Sequence, residues 1–212
     1  MTDKPEGVLL LHGITCNGMN MLYVAKHLRE AGYICHHPTY PSTFRRIEAL
    51  ATEWLPPVID RFLEKEGLEQ ISIVAHSMGG LVTRCYLKHY GSEKVKRVVL
   101  IGTPNKGSQI ADKLGDLWLF RMIFGPAGQQ LRTTGIGHTL GRLPVPTGII
   151  AGTKSNRHLG RLLPQPNDGK VWVESAREDG CDFVTVERSH IGLLHDKTVC
   201  RHVEQFLKEE HF

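Results

Sequence analysis

Apolar residues recur along the chain in two rhythms: short unbroken runs, and longer stretches in which they return every three or four positions. Val8-Leu9-Leu10-Leu11, Ile71-Ser72-Ile73-Val74, Val98-Val99-Leu100-Ile101, Gly148-Ile149-Ile150-Ala151 and Phe183-Val184-Thr185-Val186 belong to the first kind, with Tyr33-Ile34-Cys35-His36-His37 as a weaker example. Such runs suit strands covered on both faces, as in a parallel sheet. The second kind lies between them. Leu22, Ala25 and Leu28 mark the core-facing side of a helix that Gly32 stops. Ile47, Leu50, Ala51, Trp54, Val58 and Phe62 keep helical period across Pro56-Pro57, which predicts a helix bent or broken there. Leu81, Val82, Cys85 and Tyr86 form another apolar face, and Val199, Val203, Phe206 and Leu207, after Asp196, make a closing amphipathic helix. Strand and helix alternate throughout, so the pattern predicts an α/β fold with about six mostly parallel strands and helices on both faces. With 212 residues and 41% hydrophobic content, the chain is read as one domain, 1–212.

Charge and cysteine content narrow the functional classes. The net charge of +4 comes from 26 basic and 22 acidic residues that are interspersed, without a polybasic run. Nucleic acid is therefore not expected as a partner, although mild attraction to anionic surfaces is compatible with the sign. The polar stretch Met1–Gly7 runs straight into the first strand, which reads as the absence of a secretory leader, and no segment approaches membrane-spanning length. Five cysteines at irregular spacing, with no C-x-x-C, suggest neither a disulfide framework nor a zinc site; a reducing cytoplasm is the expected compartment. The adjacent His36 and His37 would point to opposite faces of a strand and cannot easily share one ion. No metal and no cofactor are expected, and the sequence does not encode the oligomeric state.

The chemistry concentrates where Ile71-Ser72-Ile73-Val74 ends in Ala75-His76-Ser77-Met78-Gly79 and turns helical. This is the small-x-Ser-x-Gly pattern of a nucleophile elbow. Small residues two before and two after the serine let strand and helix cross closely, while a strained turn pushes Ser77 Oγ clear of the backbone. A serine hydroxyl is a weak nucleophile at neutral pH and needs a positioned base, for which histidine is suited.

Together with that elbow, Leu11-His12-Gly13-Ile14, Gly102-Thr103-Pro104-Asn105-Lys106-Gly107-Ser108 and Ser189-His190-Ile191-Gly192-Leu193-Leu194 resemble compact bacterial lipases and esterases of the α/β-hydrolase fold. The departure is Ala75, where the first elbow glycine usually stands. The resemblance implies a minimal α/β-hydrolase sheet that lacks the two leading antiparallel strands of larger members. It implies an oxyanion hole made by the backbone N–H groups of Ile14 and Met78, and the chain order Ser77, Asp168, His190 for nucleophile, acid and base. Asp182 and Asp196 are rival acids, the first opening a strand and the second placed to cap the last helix. Asn167-Asp168-Gly169 also reads as a simple turn.

In the resembled fold, residues 105–145 are where a lid or cap is inserted. Trp118, Phe120 and Phe124 are accordingly expected to line an acyl pocket, against the alternative of an ordinary core helix. The implied activity is hydrolysis of a small-molecule ester or lipid through an acyl-enzyme on Ser77, with transient contact at lipid surfaces left open. The same residues would serve a thioesterase or acyltransferase. From another class comes a catalytically silent hydrolase fold used as a binding module.

Overall fold

The unbroken apolar runs become the strands of a single sheet: β1 Gly7–Leu11, β2 Ile34–His36, β3 Ile71–His76, β4 Val95–Ile101, β5 Thr147–Gly152 and β6 Asp182–Val186. A computed structural model describes residues 5–116, 118–155 and 166–212, without the side chains of residues 109, 110, 114 and 118–123. The strand order is β2-β1-β3-β4-β5-β6, and every pairing is parallel. Side chains alternate across this sheet with the pleat. Leu9, Leu11, Ile73, Ala75, Val98 and Leu100 face one core, whereas Val8, Leu10, Val74, Val99, Ile101 and Ile150 face the other. Both faces are covered, which is why these runs carry so few polar positions.

On the second face lie α1 (Leu22–Glu30) and α6 (Lys197–Glu209). The stripe of α1 is Met21, Val24, Ala25 and Leu28, all buried, while Leu22 is 38% exposed. Leu22 was expected in the core. Positions 21, 24, 25 and 28 follow the helical period, and Leu22 falls about 100° off that stripe. In α6, Val199, Cys200, Val203, Phe206 and Leu207 are buried, and Asp196 caps its start by accepting from the N–H groups of Thr198 and Val199 at 2.8 and 3.0 Å.

The first face is covered by α2 (Leu55–Glu66) and α3 (Met78–Tyr90). Helical path begins already at Ile47, and Leu50–Trp54 is a π-helical segment directly before α2. Pro56 and Pro57 sit in the first turn of α2, where their missing N–H groups matter least. The expected break is therefore a widened turn. The carbonyl of Thr52 has proline at both the fourth and fifth positions ahead and can accept neither an α- nor a π-type bond; the Tyr90 hydroxyl donates to it instead, at 2.9 Å.

Between β4 and β5 the chain forms α4 (Gln109–Leu114) and α5 (Trp118–Gln130), the latter interrupted at Gly125, whose φ of 56° and ψ of −157° precede Pro126. Buried Arg84 of α3 ties this region down. Its guanidinium donates to Asn105 Oδ1 at 2.9 Å, Glu178 Oε2 at 2.8 Å and the Gly141 carbonyl at 2.8 Å. Among the described residues no helix is long and apolar enough to cross a membrane.

Candidate active site

In a sheet of this order the chain leaves β1 toward one edge and β3 toward the other, so a crevice opens beyond the carboxyl ends of those two strands. The loop after β1 and the turn after β3 meet there. β3 ends at His76, and Ser77 takes φ 55° and ψ −123° before α3 begins at Met78. For a residue with a Cβ this conformation costs about 1–3 kcal/mol. The surrounding bonds hold it: the Ser77 N–H donates to Ile101 O at 2.9 Å, and Gly80 N–H donates to Ser77 O at 3.0 Å. Close packing explains the small residues. A Cβ on Gly79 would lie 2.7 Å from His12 O and 2.8 Å from Leu11 O, and one on Gly13 would lie 3.1 Å from the Ser77 Cβ.

The Ser77 hydroxyl is 3.0 Å from His190 Nε2, and His190 Nδ1 is 2.7 Å from Asp168 Oδ2. All three residues are buried. His190 arrives on the loop after β6, and its backbone N–H also donates to the Asp168 carbonyl at 2.8 Å. Asp168 spends its other oxygen on its own loop, with Oδ1 accepting from the N–H groups of Lys170 at 2.9 Å and Val171 at 2.8 Å. Asn167 Oδ1 accepts from Gly169 N–H at 2.8 Å. Asn167-Asp168-Gly169 is thus a turn, and the turn presents the carboxylate to His190. The rivals lie elsewhere: Asp182 Oδ1 and Oδ2 accept from the backbone N–H groups of Phe183 and Phe212, and Asp196 caps α6 and pairs with Arg188 at 2.7 Å.

Ile14 lines the crevice, and Met78 begins α3 directly after Ser77. Among the described residues neither of their backbone N–H groups has an acceptor. The orientation of the Gly13–Ile14 peptide is fixed from behind. His12 Nδ1–H donates to Gly13 O at 2.7 Å, and Cys16 N–H reaches the same carbonyl at 3.3 Å. Because N–H and C=O of a trans peptide point opposite ways, holding the Gly13 carbonyl on His12 turns the Ile14 N–H away from it. His12 is itself locked, accepting from Tyr40 N–H at 3.2 Å through Nε2 and stacking on the Tyr40 ring at 4.0 Å, while the Tyr40 hydroxyl donates to His12 O. Burial lowers the pKa of His12, partly offset by its bond to the Gly13 carbonyl.

A second buried histidine backs His190. His76 Nε2–H donates to the His190 carbonyl at 3.1 Å, and the two rings lie 4.7 Å apart. His76 Nδ1 is buried, with no partner among the described residues. Burial, followed by the nearby His190, pushes the His76 pKa well below the ordinary histidine value, so the ring stays neutral. Sequence reasoning singled out neither His12 nor His76 nor Tyr40 for a role. The available signal was that His12 opens the His-Gly turn and His76 directly precedes Ser77; nothing in the sequence pointed to Tyr40.

Beyond Ser77 the crevice widens into a cleft of about 180 Å3, walled by Ile14, Pro104, Ala111, Phe124, Leu131 and Val171. Phe124 was expected on this wall and is there, half-buried at the last residue before the Gly125 kink. The side chains of Trp118 and Phe120 lie outside the described residues. Cys16 lines the cleft too, its thiol pKa raised by burial and eased back by Lys170 and Gly13.

Three comparisons bear on this architecture. A Bacillus subtilis carboxylesterase is 35% identical over 94 residues, covering 38% of this chain and 38% of the relative. A Pseudarthrobacter phenanthrenivorans triacylglycerol lipase is 34% identical over 65 residues, 31% of this chain and 20% of that protein. The chain thus spans well under half the length of these curated relatives in each match. Among solved structures, a Bacillus licheniformis lipase in its propeptide form superposes with a TM-score of 0.83 at 20% identity, covering 97% of this chain and 50% of that one. Its mature form gives 0.79 at 19% identity, covering 99% and 94%. At such identities the likeness speaks for the fold. The alpha/beta hydrolase fold model matches residues 7–167, from the start of β1 to the residue before Asp168, and the chain belongs to that family.

Proposed function

We propose that the protein is a serine hydrolase of carboxylic esters. The observation that carries this reading is the hydrogen-bonded run from Ser77 Oγ through His190 to Asp168, opening onto an apolar cleft beside two backbone N–H groups that have no acceptor among the described residues. Ser77 Oγ attacks the ester carbonyl while His190 Nε2 takes its proton, and His190 then returns that proton to the leaving alcohol. Asp168 keeps the His190 proton on Nδ1, which leaves Nε2 free to accept, and steadies the imidazolium that forms. The Ile14 and Met78 N–H groups hold the oxyanion, the second at the N-terminus of α3, where the helix dipole favours negative charge. Water then attacks the acyl-enzyme by the same route in reverse.

Similarity to a carboxylesterase and a triacylglycerol lipase supports esters as the substrate class. The apolar cleft beside Ser77, about 180 Å3 as the described residues bound it, is where the acyl group lies in this reading. Residues 105–145 form the cap over the cleft in this reading, with Phe124 on its inner wall. The test is a series of p-nitrophenyl esters from acetate to decanoate beside the matching acyl thioesters. Higher kcat/KM on the oxygen esters than on the matching thioesters supports the reading. A protein that cleaves thioesters and leaves the oxygen esters intact contradicts it.

A further inference from the structure

Among the described residues, one lysine and no arginine line the cleft. Lys170 lines it and is exposed, whereas the lining around it is apolar apart from the reacting groups and their neighbours. No carboxylate is among the described lining residues. The nearest acid by connectivity, Asp168, is buried behind His190 with Oδ2 on that ring and Oδ1 on two amides, and cannot turn out to meet an ammonium. Among the described residues Lys170 Nζ has no ion-pair partner.

The backbone beneath this side chain is held on both sides. Lys170 N–H donates to Asp168 Oδ1 at 2.9 Å, and Lys170 O accepts from Ser108 Oγ at 3.1 Å. The stem therefore leaves from a fixed point on the rim. Its charge is felt within the cleft: it partly offsets the rise that burial gives the Cys16 thiol pKa, and it adds a small share to the lowering of the His76 pKa, which burial dominates. An ammonium over an apolar slot distinguishes ligands by charge: a neutral acyl or alkoxy group gains nothing from it, and a group ending in an oxyanion gains a partner in partly water-excluded surroundings.

We propose that Lys170 selects esters carrying an anionic group, a carboxylate or a phosphoryl group, placed to meet its ammonium at the cleft mouth while the ester carbonyl lies at Ser77. The inference rests on the ester-hydrolase reading above and names the substrate class within it. Chemically, such substrates are half-esters of dicarboxylic acids or esters bearing a phosphate headgroup.

The experiment measures kcat/KM for three p-nitrophenyl esters of similar length: the neutral butyrate, the hemisuccinate and a phosphonopropionate. The enzymes are wild type, Lys170→Met, Lys170→Arg and Lys170→Glu, at low and high sodium chloride. The expected result is an anionic-to-neutral ratio that falls about three- to tenfold in Lys170→Met, falls further in Lys170→Glu and is kept in Lys170→Arg. In wild type the preference should shrink as salt rises. Whichever anionic ester loses preference identifies the group, carboxylate or phosphoryl. Equal ratios in all four proteins, or a wild-type ratio indifferent to salt, would overturn the proposal. If none of the three esters is cleaved by wild type, the ester-hydrolase reading is what has failed, and the two failures remain distinct.

Discussion

Replacing Asp168 by asparagine keeps the shape of the side chain and alters two donors and acceptors, and the structure says which way the amide will face. Oδ1 accepts from the N–H groups of Lys170 and Val171, while Oδ2 accepts from His190 Nδ1. An asparagine oxygen placed on the two amides keeps two bonds worth about 0.5–1.5 kcal/mol each, and the reverse orientation would set its NH2 group against both donors. The oxygen therefore stays on the loop and the NH2 faces His190. Nδ1 must then accept, so the ring carries its proton on Nε2, pointing at Ser77 Oγ. In that tautomer it cannot take the serine proton. Turnover should fall about 10⁴-fold at neutral pH with KM little changed, since the loss is confined to the transition state. Initial rates on p-nitrophenyl butyrate measure this, with circular dichroism and thermal melting to show that the loop has held. A folded Asp168→Asn enzyme within tenfold of wild-type turnover would refute both the tautomer argument and the role of Asp168.

Other expectations follow from the same geometry. His12→Phe keeps a ring against Tyr40 and removes the Nδ1–H bond to Gly13 O, so kcat should drop, but by less than the roughly 10²- to 10³-fold expected for Ile14→Pro, which deletes the N–H itself; equal turnover of His12→Phe and wild type would show that the peptide is held otherwise. His76 is held neutral in the fold, so below the ordinary histidine pKa of about 6.5 the unfolded chain binds a proton that the folded chain refuses. Stability should thus be complete above that pH and decline as pH falls, by up to about 1.4 kcal/mol per pH unit for this one site, and His76→Gln should flatten melting curves between pH 6.5 and 5. Arg84→Met should lower stability by about 3 kcal/mol, because it strips partners from Asn105, Glu178 and the Gly141 carbonyl; denaturant midpoints unchanged within error would contradict the clamp.

Much of this was readable from sequence because the elements are locally determined. The run Ile71–Val74 could only be a strand buried on both faces, and a serine between two small residues at its end left few choices for the turn that follows. Parallel strands deliver their carboxyl ends to the same side of the sheet, so the loops that carry Ser77, Asp168 and His190 meet at one edge, although chain order alone did not separate Asp168 from Asp182. What sequence could not give was the set of contacts made between distant segments. His12 meets Tyr40, 28 positions away, and His76 meets the carbonyl of His190, 114 positions away; no spacing rule connects either pair. Leu22 misled for a simpler reason, since a stripe displaced by one residue satisfies nearly the same period. The double proline was legible as a disturbance, yet its resolution as a π-helical turn depended on Tyr90 arriving from α3 to satisfy Thr52.

The claim on which the rest depends is that Ser77 is the nucleophile. Incubation with a serine-reactive fluorophosphonate, followed by digestion and peptide mass mapping, reads this directly. The account predicts one equivalent of label, carried by the peptide containing Ala75-His76-Ser77-Met78-Gly79, absent in a folded Ser77→Ala variant and strongly slowed in His190→Ala. Stoichiometric labelling that persists in Ser77→Ala, or that maps to another serine, would contradict it.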